Sequence, residues 1–129
     1  MKIATIIVRI LLGLMFVVFG LNGFLHFIPM GDPPKGLAGE FVNALMNTSY
    51  IKVVAGLQVA GGLLVLSGRF LPLGLLLLGP VIVNILLFHL FLEPKGLGMA
   101  LVVSALSLFL LARHWSAFRS IFRPYPPTP

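Results

Sequence analysis

The chain has 129 residues, of which 59% are hydrophobic and 9% are charged. A soluble domain is nearer half apolar and a quarter charged, so this composition excludes a water-facing globule and indicates one domain within a lipid bilayer. The absence of cysteine excludes disulfides and thiolate metal sites, and the scattered basic residues behind the net charge of +6 favour membrane topology over nucleic-acid binding.

The first apolar segment, residues 3–28, has the composition of a signal peptide. Its apolar run is too long for one, and no small-residue cleavage site follows it, so we predict a retained membrane helix. In the next stretch, "GLAGEFVNALMNTSY", Leu37, Phe41 and Leu45 recur at helical spacing. This periodicity favours a short amphipathic helix in the outer interface over an ordinary ordered loop.

Three further segments approach the roughly 20 apolar residues that cross the hydrocarbon. They are residues 50–67, 70–92 and 97–113, separated by "SGR" with the following Pro72 and by "EPKG". We therefore predict an all-α, integral membrane four-helix bundle over residues 1–123. The proline-rich tail, residues 124–129, cannot continue a helix.

The basic residues predict the orientation, because four spans place both termini on one side of the membrane. Six basic residues share that side: Lys2, Arg9, Arg69, Arg113, Arg119 and Arg123. The other side has three: Lys35, Lys52 and Lys95. The positive-inside rule therefore predicts cytoplasmic termini.

Small residues recur along the predicted spans, and Gly56 and Ala60 have the small-xxx-small spacing of membrane helix contacts. Pro80 lies in the third span, where it should kink the helix. Arg9 lies inside the first span. Either its side chain snorkels to the inner surface, or it bonds an acceptor on another helix, since none of the chain's acids lies within the spans.

Most of the other polar residues of the spans cluster in the outer half. At about 1.5 Å per residue, Asn22, Gln58 and Asn84 lie roughly 9–12 Å below the outer ends of their helices. His26 and His89 lie within roughly 6 Å of that boundary. We predict that Asn84 faces the bundle interior, because a carboxamide without partners is unfavourable in lipid.

Three interpretations of these five residues are open. The first is that they are interhelical hydrogen-bonding groups, since Asn, Gln and His bond across membrane helices. The second is that they line an outer polar pocket that binds a small ligand, because intramembrane polar groups often mark functional sites. His26 and His89 alone could also ligate a haem iron, but two histidines at an interface are a weak signal, and we predict no metal site.

The motifs of several spans resemble those of the DoxX-like family of small bacterial membrane proteins. The similar stretches are "RILLGLMFVVFGLNGFLHFIP", "FVNALMNTSYIKVVAGLQVAGGLLVLSGRF" and "LPLGLLLLGPVIVNILLFHLFLEPKG". The resemblance implies a four-helix bundle in the bacterial inner membrane and an association with redox complexes. Many members carry a glutamate where this chain has Gln58, before Gly61 and Gly62, and an amide cannot exchange a proton at neutral pH.

The resulting hypothesis is an accessory or quinone-interacting component of a membrane redox system. Asn22, His26, Gln58, Asn84 and His89 would line its pocket, with quinone as the ligand and no required cofactor. With neither cysteine nor an acid in the spans, the chain alone is a poor candidate for a complete enzyme. The rival hypotheses are a structural subunit or assembly factor that contacts other membrane subunits, and a permease for a small solute.

Overall fold

The computed structural model of the protein describes residues 2–29 and 31–128. Within these ranges the chain is helical and contains no strand, so the predicted all-α class is confirmed. The helices are α1 (Lys2–Leu25), α2 (Gly36–Met46), α3 (Tyr50–Ser67), α4 (Leu71–Phe91), α5 (Leu97–Arg113) and α6 (Trp115–Phe118), followed by a 3₁₀ turn over Arg119–Phe122.

Three of these helices, α1, α3 and α4, are long and apolar enough to cross a membrane. Helix α5 has 17 residues. It passes the same test only together with the segment Trp115–Phe122, to which it is joined by an 83° bend. The structure is therefore compatible with a multi-pass membrane protein, and the fourth span stays a prediction.

Helices α1, α3, α4 and α5 pack as a ring. In this ring α1 contacts α3 and α5, and α4 contacts α3 and α5. The start of α1, the end of α3, the start of α4 and the end of α5 line one common cavity, so successive helices alternate in direction. The core lies along the axis of the ring. Its largest fully buried side chains come from all four helices: Leu12, Val65, Leu78 and Leu110.

Glycines bring the helices of this ring into close contact. A Cβ atom at Gly62 of α3 would lie 2.9 Å from the backbone nitrogen of Val17 in α1. One at Gly61 would lie 2.7 Å from Leu78 of α4. The contact predicted for Gly56 and Ala60 is wrong, because Gly56 has nothing within 4 Å of its Cβ position and Ala60 is exposed.

Polar and left-handed residues decide where the helices end. Helix α1 ends at Leu25, three residues before the predicted boundary, where Asn22 Oδ1 accepts a hydrogen bond of 2.7 Å from the Ile28 amide. His26 adopts a φ of 53°, which breaks the helical path. Gly68 ends α3 at a φ of 77°, a conformation that glycine adopts without strain.

The short helix predicted in the first loop is confirmed as α2. Ala38 and Gly39 are its buried residues, while Leu37 is 70% exposed and so does not pack against the bundle. Helix α2 contacts α3 at the end of the ring opposite the start of α1 and the end of α5.

Candidate functional site

A groove of about 300 Å³ lies between α2, α3 and α4. Its wall is mostly apolar: Phe41, Val42, Leu45, Val54, Leu57, Pro80, Val81, Ile85 and Phe88, with Tyr50 beside them. Three of the five predicted site residues, Gln58, Asn84 and His89, lie on it. This combination of an apolar wall with a few polar groups is typical of small-molecule sites.

The groove exists because the packing of α3 against α4 changes along their length. At Gly61 and Gly74 a Cβ on either residue would meet the backbone oxygen of the other, at 3.1 and 2.9 Å, so the two backbones touch. Gln58 lies three residues from Gly61 on α3, about one turn away, and Asn84 lies ten residues beyond Gly74 on α4. Both line the groove. Space remains between the helices at this level.

Helix α2 closes the outer end of the groove. The ring of Phe41 lies 5.5 Å, centroid to centroid, from the ring of Phe88 on α4, a distance typical of a favourable aromatic pair. Val42 and Leu45 line the same end. The side of the groove is open, since Leu57, Pro80 and Asn84 are exposed, so it opens laterally from the bundle.

The carboxamide of Gln58 lies on the groove and has no hydrogen-bond partner among the described residues. The side chain is half-buried and makes no hydrogen bond within residues 2–29 and 31–128. An amide in an apolar setting without a hydrogen bond costs about 0.5–2 kcal/mol on scales that allow partial compensation. Gln58 therefore offers two N–H donors and a carbonyl acceptor to whatever enters the groove.

Asn84 is positioned differently from our prediction. Its side chain is exposed, on the same stripe of α4 as Pro80 and Leu87, so the prediction that it faces the bundle interior is wrong. Its Nδ2 donates a hydrogen bond of 2.8 Å to the carbonyl of Pro80 within the same helix. This local bond pairs the amide nitrogen without a second helix, and the Asn84 carbonyl oxygen remains for a ligand.

His89 lies at the outer end of the groove, with its ring edge-on to Phe88 at 5.1 Å. Its Nδ1 is 3.0 Å from the backbone oxygen of Glu93. Because a carbonyl only accepts, this contact places a proton on Nδ1, and in the neutral ring Nε2 is then an acceptor. The ring also packs against Gly96, where a Cβ would lie 2.8 Å from it.

The structure does not bring Asn22 or His26 to this groove. Asn22 is 7% exposed, and its carbonyl oxygen is used in ending α1. His26 is exposed at the end of α1. The described residues hold no cluster of three or more His, Asp and Glu side chains suited to a metal ion.

Arg9 lies at the opposite end of the ring, where it lines the cavity between the starts of α1 and α4 and the ends of α3 and α5. Its guanidinium group packs against Gly68. Its Nε atom is buried and has no hydrogen-bond partner in the described part of the chain. The side chain thus reaches the end of the ring where α1 begins, as a snorkelling arginine would, with its Nε enclosed.

The apolar wall of the groove, including Phe41, Tyr50 and Phe88, was not predicted from the sequence. Helices α3 and α4 are apolar on nearly every face, so no sequence signal separates their wall residues from their other outward-facing residues. The periodicity of α2 was the one available indication, since Phe41 and Leu45 share a helical face.

No protein-family model, curated protein or solved structure gives a significant match to the chain. The resemblance to the DoxX-like family therefore stays a prediction.

Proposed function

We propose that this protein is a multi-pass protein of the bacterial inner membrane that binds a lipophilic quinone in the lateral groove. It would serve as an accessory component of a membrane redox system. The membrane setting is supported by the three long apolar helices and by the exposed apolar side chains around the ring. The excess of basic residues at the end that holds the termini favours a cytoplasmic position for that end.

The observation that carries the proposal is the unpaired carboxamide of Gln58 in an apolar groove. A quinone has a flat apolar ring with carbonyl oxygens at opposite edges. Gln58 can donate to one carbonyl, while Phe88 and Ile85 contact the ring face. The lateral opening would admit a ligand with a long apolar tail directly from the lipid.

The quinol, the reduced form of the ligand, would also find hydrogen-bond partners in the groove. A quinol carries hydroxyl groups, and His89 Nε2 is an acceptor in the tautomer that the Glu93 contact favours. Gln58 and Asn84 each offer a carbonyl oxygen that can accept from a hydroxyl. The groove can therefore hold both oxidation states by hydrogen bonding, without any proton transfer by the protein.

The proposal is tested by thermal unfolding of the purified chain in detergent, with and without a short-chain benzoquinone or naphthoquinone. We expect the quinone to raise the unfolding temperature of the wild type and of Asn22→Leu, because Asn22 lies outside the groove. We expect no increase for Gln58→Leu. A wild-type protein that no quinone stabilises would leave the structural-subunit hypothesis, in which a partner helix occupies the groove.

The orientation is tested separately with reporter fusions after residues 35 and 129. We expect the two fusions to report opposite sides of the membrane, with the C-terminus in the cytoplasm. A periplasmic C-terminus would overturn either the orientation or the four-span count.

A further inference from the structure

A second cavity, of about 650 Å³, lies at the end of the ring that holds the N-terminus. Its lining combines four basic or imidazole side chains from separate parts of the chain: Lys2, Arg9, Arg113 and His114. Thr5, Gly68 and the first residues of α4 complete the wall. The groove of the proposed function lies at the other end and shares no residue with this cavity.

No acid balances these charges. The chain has three acids, Asp32, Glu40 and Glu93, and each lies in α2 or in a loop at the opposite end of the ring. Among residues 2–29 and 31–128, Lys2, Arg9 and Arg113 therefore line one cavity without an acidic side chain beside them. The start of α4 adds the partial positive charge of a helix N-terminus.

Arg9 is held in place for a ligand. Its guanidinium group lies so close to Gly68 that a Cβ there would collide with Nη1. Its Nε is buried with no acceptor among the described residues, and a buried donor without an acceptor is unfavourable. A phosphate oxygen in the cavity would supply that acceptor, and the planar guanidinium group suits two-point contact with phosphate.

Arg113 is the second anchor. Its Nε donates to Thr5 Oγ1 at 3.2 Å, which ties the end of α5 to the start of α1. Its two terminal nitrogen atoms make no hydrogen bond in the described part of the chain. Arginines from two helices thus meet at one cavity, a common arrangement for binding phosphate.

We propose that this cavity binds a phosphate group, either the headgroup of an anionic phospholipid or a free phosphate. The groups that hold it are Arg9, Arg113 and Lys2. Arg69 supplies a matched control, because it lies at the same end of the ring but does not line the cavity.

The test measures binding of phosphatidylglycerol, phosphatidylcholine and inorganic phosphate to the full chain in detergent by native mass spectrometry. For a lipid site we expect wild type and Arg69→Gln to retain phosphatidylglycerol in preference to phosphatidylcholine. Arg113→Gln should bind it about tenfold more weakly, as expected for the loss of a charge-assisted hydrogen bond. For a free-phosphate site, the same order of variants should appear with inorganic phosphate.

Arg9→Lys separates a shaped site from general attraction, because it keeps the charge and removes the planar fork. We expect this variant also to weaken binding, while circular dichroism shows an unchanged helix content. If Arg9→Gln fails to fold, Arg113→Gln still decides the question, since Arg113 is exposed. Equal binding of both phosphate probes by wild type, Arg113→Gln and Arg69→Gln would overturn the proposal.

Discussion

The two sides of α3 differ in how they meet their neighbours. Toward α1 the contact is closed along its length, with Gly13, Gly20 and Gly62 letting the backbones touch. Toward α4 the contact is closed at Gly61 and opens into a groove at Gln58. Where α3 carries Gly61 and Gly62, it packs closely against its neighbours and holds the bundle together. Where it carries the long side chain of Gln58, a space remains that can accept a ligand. The close contact between α1 and α3 is called the closed seam below.

The largest loss of stability is expected from a substitution in the contact between α1 and α3. Gly62→Ala should lower the free energy of unfolding by up to about 3 kcal/mol, because the new methyl group meets the backbone of Gly13 and Val17, which cannot move aside. Gly56→Ala is the matched control, since nothing lies within 4 Å of its Cβ position. Thermal unfolding in detergent measures both variants, and equal stability of the two would show that the seam is not the tight contact.

Asn22→Leu should destabilise the protein by about 2 kcal/mol. The change leaves the amide of Ile28 without its acceptor at a partly buried site next to the seam. Thermal unfolding is again the measurement, with the quinone shift as the second readout. A loss of the quinone shift in this variant would contradict the separation of Asn22 from the groove.

On the open side of α3, Gln58→Leu should raise the free energy of unfolding, whereas the two changes above lower it. Because Gln58 makes no hydrogen bond among the described residues, leucine removes an unpaired amide from an apolar wall. We expect the free energy of unfolding without ligand to rise by about 1 kcal/mol. A destabilised Gln58→Leu would show that the amide bonds a group in the native protein and that the groove is not open.

The smallest effect is expected at Asn84. Interhelical amide bonds in membranes contribute about 0.6–2 kcal/mol, but Asn84 bonds only the carbonyl of Pro80 in its own helix. Asn84→Leu should therefore change the free energy of unfolding by less than about 0.5 kcal/mol. A loss near 2 kcal/mol in the same unfolding assay would mean that Asn84 joins two helices after all.

The sequence predicted the helices far better than the site. The predicted segments 50–67 and 97–113 coincide with α3 and α5 residue for residue, because Gly68 and Gly96 adopt left-handed conformations at the boundaries. The end of the first segment was placed too late. A hydropathy pattern does not show that the hydrogen bond of Asn22 and the positive φ of His26 end the helix at Leu25.

The sequence predicted how far along its helix each polar side chain of the site lies. It did not predict the direction in which that side chain points around the helix axis. Gln58, Asn84 and Asn22 were assigned to one level, yet only Gln58 and Asn84 line the groove. Amphipathic helices reveal their buried face through periodicity. Helices that are apolar on all sides, such as α4, carry no such signal, so the position of Asn84 on an exposed stripe required the structure.

The lateral opening of the groove has a consequence for how ligand binding should be quantified. In the membrane setting that we propose, a molecule that enters from the side arrives from the bilayer, so its effective concentration is its mole fraction in the lipid rather than its amount in the buffer. Adding ligand-free lipid at a fixed total amount of ligand would then empty the groove, even though the protein and the aqueous phase are unchanged. An affinity expressed per litre of buffer would vary with every preparation, whereas one expressed per lipid molecule would stay constant.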